Sequence, residues 1–273
     1  MTIKDLLVYI DNDAQCDNRL QYAVQMAKHC EARMSGVYVR RQLELPSYAE
    51  VQVPQEVLAA GEKQLMEMSG AARSTFQKGV AGTSLDSEFH QLKGVLPQVL
   101  STAMHYADLA IVAQRHPDAG DLNVHYSPDS LLFQAGIPLV VVPHAGEFRY
   151  PPRHVVIAWN SSAPSARALH DALPLLQHAE QVLAVSVGNS DPAAMVGGDL
   201  SRHLVQHGIE AEVRNIDAAD SEAGDVMLSV AAETDSELIV MGGYGHARFR
   251  ELVLGGMTRT LLERMTLPVL ISH

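Results

Sequence analysis

The chain has 273 residues, 47% apolar and 19% charged, a globular composition able to bury a sizeable core. Thirty-two acids against 20 bases give a net charge of −12, which argues against sequence-independent nucleic-acid binding, because that needs basic clusters, but leaves room for a local nucleotide site. No stretch reaches about 18 apolar residues, no basic segment with a long apolar core opens the chain, and Cys16 and Cys30 form no CxxC pattern. These features predict a reduced, cytoplasmic protein without membrane insertion.

In chain order, DLLVYIDND reads as an apolar strand ending in a small polar cluster. NRLQYAVQMAKHCEARMSGVYV follows as a helix and a β-branched strand. Asp11, Asp13 and Asp17 open that helix, where acids suit the helix dipole. Cys16 beside them is expected to be an incidental thiol, although a helix start can lower a thiol pKa. The segment from Gln42 to Phe76 carries Leu, Val and Met at helical spacing after its prolines. Met66 and Met68 read as core or interface residues, with the floor of an apolar pocket as the alternative. ADLAIVAQ and AGIPLVVVP are two further strands, the second opened by a proline.

HAGEFRYPP has no apolar periodicity and reads as a linker. After it the pattern repeats. HVVIAWNSS matches DLLVYIDND, and ARALHDALPLLQHAEQVLAVSV matches the helix and strand that follow it. SELIVMGG matches ADLAIVAQ, and MTLPVLISH matches AGIPLVVVP. The expected division is residues 1–143, a linker at 144–152, and residues 153–273. Runs such as LAIVA, LVVVP, VVIA and ELIVM are continuous rather than alternating, which marks strands buried on both faces of a parallel sheet. The predicted class is α/β, two tandem doubly wound domains, each a five-stranded parallel sheet with helices on both faces.

In such sheets ligands bind beyond the carboxyl ends of the strands. MGGYGHARFRELVLGGMTR, residues 241–259, lies at one of those ends. Gly242 and Gly245 follow the strand, where glycine allows positive φ and close approach of a ligand. Gly255 and Gly256 precede the helix MTRTLLERM, so Gly256, Met257 and Thr258 would offer free N–H groups to an anion, and Thr258 a hydroxyl. The second half holds 15 acids and 8 bases from Pro151 onward, yet Arg248, Arg250, Arg259 and Arg264 crowd this element. The alternative is that they are solvated helix-face and loop residues. His246 follows Gly245 and is expected near phosphate rather than as a base. No P-loop and no dinucleotide fingerprint is present.

The pattern G-x2-G-x9-G with a hydroxyl side chain within three residues, here Gly242, Gly245, Gly255 and Thr258, resembles the ATP-binding signature of universal stress proteins. The resemblance extends over nearly the whole chain as two tandem domains. It implies pairing of the two halves through their last strands and ATP as ligand of the second half. It also implies that Ala158 and Val187 line the adenosine pocket, with apolar Met241 before the first glycine. The acidic residue that the family places after the first strand is Asp11 in the first half but Asn160 in the second. The hydroxyl residue usual after the third glycine is Gly256 here. Asn160 brings no negative charge to a metal ion, so little dependence on Mg²⁺ is expected. Gly256 removes one hydrogen bond, about 0.5–1.5 kcal/mol net.

The first half departs further. Gly120 is the only glycine between ADLAIVAQ and the next helix, and Asp118, Asp121 and Asp129 would repel phosphate. It is expected to keep the fold and the pairing surface without binding ATP. His203 and His207, four apart on a helix, make half a zinc site at most and read as surface histidines. Ser161 and Ser162 look like helix caps. No GxSxG elbow and no general base beside the glycines is visible, so any ATP hydrolysis is expected to be slow. The expected role is stress sensing, scaffolding or protection; the alternative is a non-nucleotide scaffold for a partner protein, a lipid-like metabolite or a metal. A further homodimer is left open by the sequence.

Overall fold

The computed structural model describes residues 2–40, 54–115, 128–188, 197–243 and 256–273, with the backbone alone at residues 129, 197, 198 and 220. The first half runs β1 (Asp5–Tyr9), α1 (Cys16–Cys30), β2 (Arg33–Arg40), α2 (Gln55–Val80), β3 (Ser87–Lys93), α3 (Leu96–Met104), β4 (Leu109–Ala113), α4 (Pro128–Ala135) and β5 (Leu139–Val142). The second runs β6 (His154–Ala158), α5 (Ala163–Leu176), β7 (Gln181–Val187), α6 (Gly197–Gln206), β8 (Ala211–Ile216), α7 (Ala223–Glu233), β9 (Leu238–Gly242), α8 (Gly256–Arg264) and β10 (Val269–Ser272).

The ten strands of the described residues form one sheet, in the order β3-β2-β1-β4-β5-β10-β9-β6-β7-β8. Each half contributes five parallel strands. The halves join where β5 and β10 pair antiparallel, with Leu270 opposite Val140. The pairing of last strands implied by the resemblance is therefore present within one chain.

Alternate residues of each central strand enter different cores, because a strand turns successive side chains to opposite faces. Leu6 and Val8 pack toward α1, and Val155 and Ile157 toward α5 and α6. Leu7 and Tyr9 share the other face with α3 and α4, and Val156 and Ala158 share it with α7 and α8. The continuous apolar runs are thus explained by two cores. The outermost strands β3 and β8 are only half-buried and carry Glu88, Lys93, Glu212 and Arg214, charges that discourage pairing with another sheet.

The duplication extends to side-chain detail. Asp108 accepts hydrogen bonds from the Lys4 and Asp5 N–H groups, at 2.7 and 3.0 Å. Glu237 accepts one from the Arg153 N–H, at 2.5 Å. Each acid stands just before the fourth strand of its half and satisfies a donor at the start of the first.

Met66 and Met68 do not form a pocket floor. Among the described residues of α2, only Ser69, Ala72 and Phe76 are buried, and Met66 is 58% exposed.

Candidate functional site

β6 and β9 are neighbours, with Ala158 level with Met241. The chain leaving β6 turns to α5 on one face, and the chain leaving β9 leads to α8 on the other. The second half has its topological switch point here. Because β10 runs parallel to β9, the intervening α8 runs back along the sheet, and its N-terminus lies at the strands' carboxyl ends.

Ala158, Val187, Met241 and Met257 all belong to the core on the α7/α8 face of the sheet. Ala158 is level with Val185 of β7, and Val187 lies two residues further on the same face. Val187 and Met257 are half-buried, while Ala158 and Met241 are buried. Trp159 points into the opposite core and is tied to β7 by its N–H, which donates to Val185 O at 2.8 Å.

Asn160 is exposed, and its side-chain oxygen accepts from Ser162 N (3.2 Å) and Ser162 Oγ (2.6 Å). Ser161 takes the left-handed conformation, φ 57°. Ser162 is the N-cap of α5 and accepts from Ser165 N at 3.3 Å. The capping expectation holds for Ser162. Asn160 closes the turn before the helix.

The positive φ expected at Gly242 is absent, and packing constrains the position. A Cβ there would run into the backbone of Pro164 and Ser165. The missing side chain lets the end of β9 approach the start of α5. Gly243 is confined by the first half, since its Cβ would lie 2.5 Å from Leu132 of α4.

Gly256 opens α8, and a Cβ there would meet none of the described residues within 4 Å. A helix start leaves its first N–H groups without intrahelical partners, so this open end has the chemistry of an anion site. Thr258 is buried, 3% exposed. The two described arginines of the basic cluster are matched by carboxylates. Arg259 donates to Glu263 at 2.8 Å, and Arg264 pairs with Asp225. Gly245, His246, Gly255, Arg248 and Arg250 lie outside the described residues, as do Asp118, Gly120 and Asp121 and the side chain of Asp129.

The corresponding place in the first half is built differently. Asp11 pairs with Arg19 at 2.8 Å, and Arg19 Nε donates to Tyr9 O at 2.9 Å. Arg19 is 2% exposed. Gln114 occupies the place of Gly243. Its N–H donates to Val142 O at 2.8 Å, as the Gly243 N–H does to Ser272 O at 2.8 Å. The sequence reading missed both residues. The signal for Gln114 was the alignment of ADLAIVAQ with SELIVMGG, where a long polar side chain stands opposite glycine.

The remaining candidates are elsewhere. Burial pushes the Cys16 thiol up to about 11, against the reactive reading of a helix-start cysteine. His203 and His207 have rings 4.8 Å apart, and His170 of α5 lies 5.4 Å from His203. Burial and these neighbours hold His203 below the usual imidazole range. Among the described residues, no group of three or more His, Cys, Asp or Glu side chains is arranged to hold a metal ion. None of the described helices is long and apolar enough to cross a membrane. A groove of about 590 Å³ lies on the first half, between β1–β3 and α3, with Leu7, Val37, Leu92, Val99 and Ala103 on its walls and Arg33 beside them.

Residues 152–273 match the family model described as Universal stress protein family. A curated relative, Universal stress protein Slr1230 of Synechocystis sp. (strain PCC 6803), is 30% identical over 90 residues, 33% of this chain. The matched segment spans only 30% of that relative's length. The solved structure of a universal stress protein from Archaeoglobus fulgidus DSM 4304 aligns with a TM-score of 0.73 at 14% identity, over 98% of this chain and 95% of its own. A putative universal stress protein from Pseudomonas aeruginosa UCBPP-PA14 aligns with a TM-score of 0.59 at 14% identity, over 99% and 93%. At these identities the two structures speak for the fold. Residues 152–273 are thus similar to the universal stress protein family, and the strand order of the first half repeats the fold of the second in tandem.

Proposed function

We propose that the second half binds an adenine nucleotide, ATP, with the phosphates at the start of α8 and the adenosine against Ala158, Val187 and Met241. The observation that carries this reading is the register that sets Ala158 level with Met241 at the β6/β9 switch point, with Val187 on the same face, beside a helix that begins at Gly256. Gly242, Gly245, His246, Gly255, Met257 and Thr258 complete the proposed site. Asn160 contributes no charge to a metal ion, so binding depends little on Mg²⁺. The role is sensing or scaffolding in a cytoplasmic stress response, with at most slow hydrolysis.

The test is calorimetric titration of ATP, with and without Mg²⁺, into the intact chain and a Gly256→Asp variant. The new side chain has room, and an acid suits a helix start. It also places a negative charge where phosphate would lie. Saturable binding weakened at least roughly tenfold by that charge supports the reading. No heat at millimolar ATP, or equal affinity in the variant, overturns it.

One observation favours a second reading, a module for an apolar metabolite. The 590 Å³ groove of the first half has the volume of a small-molecule site and a mainly apolar wall. An apolar fluorescent dye that binds the intact chain but not an Ala103→Trp variant would support that reading.

A further inference from the structure

Gln114 is 4% exposed and lies at the junction of the two halves. Its Nε2 donates to Leu262 O and Glu263 O, both at 3.0 Å. Its Oε1 accepts from His144 N at 3.0 Å and from His144 Nδ1 at 2.7 Å. A carboxamide has two donors and an acceptor with two lone pairs, so these four bonds use its full capacity. Leu262 and Glu263 belong to the last turn of α8, where backbone carbonyls lack intrahelical partners. The first half therefore caps the C-terminus of the helix whose N-terminus is the proposed anion end.

The arrangement runs one way. The residue at the matching place in the second half is Gly243, which has no side chain to return the contact. Leu132 of the first half fills the space against it. The first half thus supports α8 of the second half, while the corresponding position of the second half offers α4 no polar cap.

We propose that Gln114 is a positioning residue that couples the first half to the anion site at the start of α8. The helix is only nine residues long, Gly256–Arg264, so anchoring its last turn restrains its first. The carboxamide holds the helix against sliding along the sheet, and His144 fixes the carboxamide. The inference takes its ligand readout from the nucleotide reading, whereas the clamp itself is readable without ligand.

The test compares the intact chain with Gln114→Met, which keeps the length and removes the polar ends. His144→Ala, which loosens Gln114 from the other side, serves if the first variant folds poorly. Two readouts are taken: amide hydrogen exchange along α8 without ligand, and affinity for ATP beside affinity for adenosine. The expected result is faster exchange in α8, ATP affinity reduced roughly tenfold, and adenosine affinity within about twofold of the parent. A general loss of structure would lower both affinities together. Equal losses for ATP and adenosine, or unchanged exchange in α8, overturn the proposal. If the parent chain binds no ATP, the nucleotide reading fails separately, and exchange in α8 alone decides the clamp.

Discussion

Gly242 at the end of β9 lies against the backbone nitrogen of Ser165, in the first turn of α5, with no room for a Cβ between them. Gly242→Ala must therefore push the helix off the sheet or bend the strand end. The expected cost is about 1–3 kcal/mol, read as a lower urea midpoint at unchanged slope. Stability equal to the parent would show that this approach is looser than described.

Gly256 presents the opposite situation, because a Cβ there meets none of the described residues within 4 Å. Gly256→Ser is expected to fold normally and to add one donor for a phosphate oxygen. The gain in ATP affinity should be about 0.5–1.5 kcal/mol, measured by calorimetry. Unchanged affinity would place the phosphates away from the start of α8.

Asn160→Asp tests the metal question. A carboxylate oxygen can accept the same two bonds from Ser162, so the turn before α5 should persist. The expected outcome is ATP binding that becomes stronger on adding Mg²⁺, where the parent responds little. Calorimetry in buffer with Mg²⁺ and with chelator distinguishes the two.

Arg19→Met would remove the ion pair with Asp11 and the hydrogen bond from Arg19 Nε to Tyr9 O. Asp11 retains 21% side-chain exposure, so water recovers part of the loss. About 2–3 kcal/mol of destabilisation is expected in denaturant unfolding. A neutral outcome would mean that the pair is as well solvated as a surface bridge.

The Cys16 thiol titrates at about 11 in the folded chain against a usual 9.0, because burial disfavours the thiolate. Below pH 9 both states carry the neutral thiol, and its contribution to stability is intact. Between pH 9 and 11 the unfolded state ionises first, so stability falls with rising pH. Cys16→Ala should flatten that part of the pH–stability curve, and alkylation of Cys16 in the folded chain at pH 8 should be slow.

The duplication was legible because it rests on local patterns. Continuous apolar runs marked strands with two covered faces, and their recurrence after Pro151 gave the two halves. Ala158, Val187 and Met241 were placed by the resemblance, and the register of β6, β7 and β9 brings them together. The glycines were legible as positions but not as reasons. Glycine suits both a ligand and a closely packed helix, and only the position of α5 shows which neighbour Gly242 has. Arg259 and Arg264 looked available in sequence because Glu263 and Asp225 become partners only through the helical turn and the packing of α7 beside α8.

By itself the sequence determined the architecture: two α/β halves, parallel strands, and a glycine-rich connection into the last helix of the second half. Periodicity and turn chemistry act over a few residues, so they can be read along the chain. The couplings between distant residues come from the packing of the folded chain. Arg19 neutralises Asp11, Gly242 admits Ser165, and Gln114 caps a helix 148 residues further along the chain. A buried polar group must find its partners wherever the fold brings them, and which elements meet is a property of the packed sheet rather than of any local stretch.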